Sequence, residues 1–84
     1  MINTNKSEIM IGFNAYQNDH KYYRFELFND KKYGKQLEIR SWIRYGNNPD
    51  YIPTKQSIYI GFNTLRDQVM DNLTNIVKEY DQKV

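Results

Sequence analysis

Residues 35–45 alternate strictly between two kinds of side chain, and a period of two marks a β-strand whose faces meet different surroundings. Leu37, Ile39, Ser41, Ile43 and Tyr45 fall on one face, and Glu38, Arg40, Trp42 and Arg44 on the other. The first face calls for a core, so a chain containing this stretch must build a sheet with one covered side. The second sets the only tryptophan between two arginines. There a flat ring can stack on a base while guanidinium groups meet phosphates. A plainer reading stands beside this one: arginines on an open sheet face keep it in solution, and an outward Trp covers a sheet edge or fills a contact between subunits.

The rest of the chain supplies partners for this strand. Residues 8–14 alternate Ile9, Ile11 and Phe13, with Gly12 marking a bulge or a close backbone approach. Residues 22–28 are a second aromatic-rich strand: Tyr23, Phe25 and Leu27 form one face, and Tyr22, Arg24, Glu26 and Phe28 the other. Turn formers over residues 29–34, ending in Gly34, predict an antiparallel hairpin with Lys31, Lys32 and Lys35 at its tip. Residues 46–54 hold two prolines, two asparagines and a glycine and predict a surface loop. Residues 57–62 are a fourth strand with Ile58, Ile60 and Phe62 inward and Ser57 and Tyr59 outward. Asn63 and Thr64 are candidate N-caps, and Thr64 to Asp67 has capping-box spacing. Leu65, Val69, Leu73, Ile76 and Tyr80 then recur at helical spacing, with Met70 and Val77 widening the stripe. This predicts a helix to about residue 80 that packs on the sheet. The fold class is thus α+β: a four-stranded antiparallel sheet and one C-terminal amphipathic helix, with residues 1–7 a flexible start and residues 8–84 a single domain.

An 84-residue chain can hide only roughly 60–65% of its unfolded surface, so a second subunit is expected. With no cysteine and one histidine, His20 (expected in a solvent-facing loop), neither a disulfide framework nor a Cys- or His-based metal site is available. No apolar run reaches membrane-span length, and residues 1–7 lack the features of a secretory signal, which places the protein in the cytoplasm as an expectation. Phosphate-cradling loops, metal-ligand spacings and nucleophile–base pairs are missing, so no enzymatic activity and no cofactor are expected. Glu26 and Glu38 lie on paired strands, but on an open face carboxylates usually pair with neighbouring arginines such as Arg24 and Arg40. Net charge is only +2, yet residues 20–55 carry eight Lys and Arg against four Asp and Glu, while residues 56–84 carry three against four. The positive charge is concentrated on the middle of the chain.

The order of four strands and a helix, with the phrase Glu38-Ile39-Arg40-Ser41-Trp42 on the third strand, resembles the positive cofactor four family of transcriptional coactivators, single-stranded DNA-binding proteins, in its short bacterial and phage form. The likeness spans residues 22–80. It implies a homodimer in which helices and sheets combine, with Arg40 and Trp42 as binding residues and Lys32 and Lys35 as backbone contacts. The chain departs from the family pattern where Lys55-Gln56-Ser57 replaces a Lys-Gly before the last strand, in a longer loop, and in lacking a Ser/Lys-rich tail. With their neighbours, the candidate nucleic-acid-binding residues are Arg24, Lys32, Lys35, Arg40, Trp42, Arg44, Lys55 and Tyr59. The expected partner is single-stranded DNA, with RNA open, in transcription, replication or recombination. The alternative is a small protein-interaction module, such as a phage modulator of a host enzyme, using the same aromatic and Arg-rich face.

Overall fold

The computed structural model describes residues 6–83. Four strands, β1 (Lys6–Asn18), β2 (Lys21–Asp30), β3 (Gly34–Ile43) and β4 (Ile52–Gly61), form one antiparallel sheet in the order β1-β2-β3-β4. A helical run follows without a break: α1 (Phe62–Thr64), a wider π-turn over Leu65–Val69, and α2 (Met70–Lys83). The four-strands-then-helix architecture is therefore the one that the alternation and the helical stripe specify. Among the described residues no helix is long and apolar enough to cross a membrane.

Several boundaries differ from the sequence-based expectation, each for a local reason. Strand β1 starts at Lys6 and runs to Asn18, taking Lys6 and Ser7 out of the expected flexible start and residues 15–18 out of the expected loop; residues 1–5 lie outside the described residues. Its extension is possible because β2 offers a paired partner along its whole length, from Tyr16 opposite Tyr22 to Lys6 opposite Asp30. Strand β4 starts at Ile52 and contains Pro53, where a loop was expected. As an edge strand it tolerates a residue with no N–H to donate, and Pro53 sits opposite Trp42 near the strand's start. Between those ends β4 bulges: Ser41 meets a segment of β4 spanning residues 54–56, and its hydroxyl shares hydrogen bonds with Thr54 Oγ1 and Gln56 Oε1. The helix begins at Phe62, not at Asn63 or Thr64. Gly61 is its N-cap, with no side-chain cap, and Thr64 is already helical. Strand runs straight into helix here, so the extended residue at the cap position is Gly61, which has no side chain to bond the first turn.

The hairpin between β2 and β3 does follow the turn chemistry. Asp30 Oδ1 accepts hydrogen bonds from the N–H groups of Lys32 (2.7 Å) and Tyr33 (2.9 Å), and Gly34 takes φ +77°, a conformation open to glycine at little cost. Gly12 marks a close approach. A Cβ there would lie 2.5 Å from Arg24 Nη2 and 2.9 Å from the Phe25 carbonyl oxygen, so the guanidinium group packs on bare backbone. A register shift between Ile9 and Ile11 lies beside it.

The apolar face of the sheet is only partly covered. Phe13 stacks on Phe25 (4.8 Å), and Ile11, Phe25, Leu27, Leu37, Ile39 and Ile60 form one wall of a groove of about 460 Å³ whose other wall is Leu65, Val69, Met70 and Leu73. The helix leaves the sheet after that point: Ile76, Val77 and Tyr80 are more than half exposed, so the expected packing along its whole length does not occur. The radius of gyration is 15.1 Å, where a compact chain of this length would have about 12 Å. The accessible surface is 6681 Å², against about 5,300 Å² for a monomer of this mass.

Candidate nucleic-acid interface

Register decides what the opposite, polar face presents. Tyr22 lies across from Trp42, Arg24 from Arg40, and Glu26 from Glu38, so like residues oppose like across β2 and β3. Two arginines and two glutamates facing their own kind would repel. The repulsion is relieved along each strand. Arg24 Nε donates to Glu26 (3.3 Å) and Nη1 to Asn14 (3.2 Å), while Arg40 reaches Glu38 through Nε (3.2 Å) and Nη2 (2.8 Å). Arg40 Nη1 also donates to the Thr54 carbonyl at 2.6 Å, and the Tyr59 hydroxyl donates to Glu38 at 2.9 Å. Glu38 is thereby held at 4% exposure and the Arg40 side chain at 13%. The middle of this face holds two ion pairs side by side, Arg24 with Glu26 and Arg40 with Glu38, the second joined by Tyr59, whose ring is edge-on to the buried Phe28.

One end of the face is aromatic. The Trp42 indole and the Tyr22 ring are nearly parallel, 9° apart with centroids 5.9 Å apart. Tyr16 and Tyr51 join from β1 and from the segment before β4, their centroids 5.1 and 4.8 Å from that of Tyr22. Arg44 lies 5.2 Å from the Tyr51 ring centre, and its Nε and the Tyr51 hydroxyl both donate to the Asp19 carbonyl. Because Arg44 is held by a neutral carbonyl, that interaction leaves its charge uncompensated. Burial, then Tyr16, hold the Tyr22 phenol above its ordinary pKa; Arg24 opposes this and Tyr51 adds to it. His20, exposed in the turn between β1 and β2 as expected, contacts the Gly46 carbonyl through Nε2 (3.1 Å) and helps hold the loop after β3 beside this cluster.

The hairpin end of the sheet carries lysines, with Lys35 on the side of Leu37 and Ile39. Lys32 Nζ lies 5.3 Å from the Tyr33 ring centre, and Lys35 Nζ lies 5.9 Å from that of Phe62. Lys55 is exposed on the bulged part of β4. The eight candidate residues thus divide among a locked centre, an aromatic end and a basic tip, with Lys55 at the edge.

Tyr16 and Tyr51 were not legible as site residues, because one lay past the expected end of β1 and the other in an expected loop. Only the register and the return of the chain after Gly46 bring them to Trp42. Among the described residues no group of three or more His, Cys, Asp or Glu could hold a metal ion. Comparisons with protein-family models, with curated proteins and with solved structures give no match. The likeness to the positive cofactor four family rests on the order of elements and the phrase from Glu38 to Trp42.

Proposed function

We propose that this protein is a non-enzymatic, largely sequence-independent single-stranded DNA-binding protein of the cytoplasm of a bacterial or phage-infected cell, working as a homodimer in transcription, replication or recombination. The observation that carries the reading is the cluster of Trp42, Tyr22, Tyr16 and Tyr51 with Arg44 against it. Stacking accepts any base, because each has a π-face, and a cation beside the rings meets the phosphate. Lysines at the hairpin tip extend positive charge to the far end of β3.

What supports the dimer is surface. The excess over a compact monomer, about 1,400 Å², exceeds the roughly 800 Å² per partner that a stable interface buries. It is apolar where the groove and the outer helix stripe lie. A second copy carries the same apolar stripe, and a two-fold interface pairs the same surfaces.

A second reading draws on the two ion pairs. With Arg24 and Arg40 engaged by Glu26 and Glu38, the polar face is less positive than its sequence suggests, as suits a protein-contact surface. A gel-shift with single-stranded and duplex oligonucleotides of equal length, repeated across salt concentrations, separates the two. Retention of the single strand, falling steeply with salt, is the expected result; no shift with either oligonucleotide favours the protein partner.

A further inference from the structure

We propose a second nucleotide subsite in the cleft between the hairpin tip and the start of the helix, with Phe62 as its stacking ring and Lys35 and Arg66 as its phosphate contacts. It rests on the single-stranded DNA reading and adds a place for the strand to go once it leaves Trp42. The cleft has a volume of about 450 Å³, within the range of small-ligand sites, and is lined by Tyr33, Lys35, Phe62, Asn63 and Arg66 among others. Phe62 is half-buried, and two cations lie near its ring: Lys35 Nζ at 5.9 Å and Arg66 Cζ at 5.6 Å from the centroid. Tyr33 beside it is 65% exposed, with Lys32 near its ring. An aromatic surface bracketed by cations is what base stacking and backbone neutralisation together require.

Position sets the path between the two subsites. Trp42 lies seven steps along β3 from Lys35, a span of ~23 Å, within reach of the ~4–16 nucleotides that single-strand-binding grooves accommodate. Lys35 alternates onto the side opposite Trp42, so a strand seated on the aromatic cluster reaches this cleft by passing around the hairpin end of the sheet. Arg66 is meanwhile engaged by Asp67, Nε to Oδ1 at 2.7 Å and Nη2 to Oδ2 at 3.1 Å. Both side chains are more than half exposed, so water already competes for the pair and a phosphate can replace the carboxylate. Asp67 therefore acts as a competitor for the phosphate.

The test titrates oligo-dT of about 15 nucleotides against the full chain and three variants, following Trp42 fluorescence and the salt dependence of affinity. Phe62→Ala weakens binding at least about fivefold, Arg66→Gln flattens the salt slope by about one counterion, and Asp67→Asn tightens binding by freeing Arg66. The last two replace exposed residues, so they decide the matter even where Phe62→Ala fails to fold. If the wild type binds and quenches while Arg66→Gln and Asp67→Asn match its affinity and salt slope, the subsite is overturned and the aromatic-end reading stands. If the wild type binds no oligo-dT, both fall.

Discussion

Glu38 and Arg40, two residues apart on β3 and on the same face, form an ion pair at 2.8 Å that is almost wholly withdrawn from water. Removing one member of such a pair strands the other charge, so Arg40→Ala is expected to cost about 3–5 kcal/mol of stability, far more than a lost phosphate contact. Denaturant unfolding checks it. Wild-type stability in the mutant would mean that Glu38 finds other compensation and that Arg40 is free for a ligand.

Gly12→Ala should destabilise the sheet by about 1–3 kcal/mol, because the new methyl meets Arg24 Nη2 and the Phe25 carbonyl inside normal contact distance. The side chain can retreat, but the carbonyl belongs to the ladder and cannot do so without moving β2. Thermal melting followed by circular dichroism reads the effect.

Leu73→Asp sets a charge into the wall of the apolar groove, opposite Ile11, Phe13 and Leu37. Leu73 is 49% exposed in the single chain, so an isolated monomer would tolerate the change, whereas a dimer that covers the groove would not. Light scattering is expected to give a dimer for the wild type and a monomer, or an unfolded chain, for the mutant. A wild-type mass near 10.2 kDa that does not rise with concentration would contradict the dimer.

The raised pKa of Tyr22 has a defined pH consequence. Its folded-state value lies above the ordinary 10.0, so its contribution to stability is complete below pH ~10 and is lost as pH rises through the folded value. Ultraviolet titration of tyrosinate should show a late-ionising phenol that disappears in Tyr22→Phe. A wild-type titration superimposable on that of the mutant apart from one ordinary tyrosine would contradict the burial of this ring.

The sheet was legible because alternation specifies a strand and its faces wherever one face is apolar, as in Leu37 and Ile39 against Glu38 and Arg40. The extent of β1 and β4 was not. Whether Tyr16 or Pro53 joins a strand depends on the partner across from it, and Pro53 is admitted only because β4 is an edge. Helical spacing gave the amphipathic stripe from Leu65 to Tyr80 but not its direction of travel, since the same stripe serves its own sheet or another copy's. At the site, alternation placed Tyr22, Arg24, Arg40 and Trp42 on one face. It could not show that like would oppose like across the hairpin and draw the arginines into pairs with Glu26 and Glu38.

Bases are expected to stack on Trp42, and the sole tryptophan reports on itself. Titrating oligo-dT while following indole fluorescence at several salt concentrations is the direct measurement. Saturable quenching that weakens as salt rises is expected, with Trp42→Ala folded and binding more weakly by about 1–3 kcal/mol and Arg44→Ala flattening the salt slope by about one counterion. Unchanged fluorescence, or a folded Trp42→Ala protein with wild-type affinity and salt slope, would contradict it.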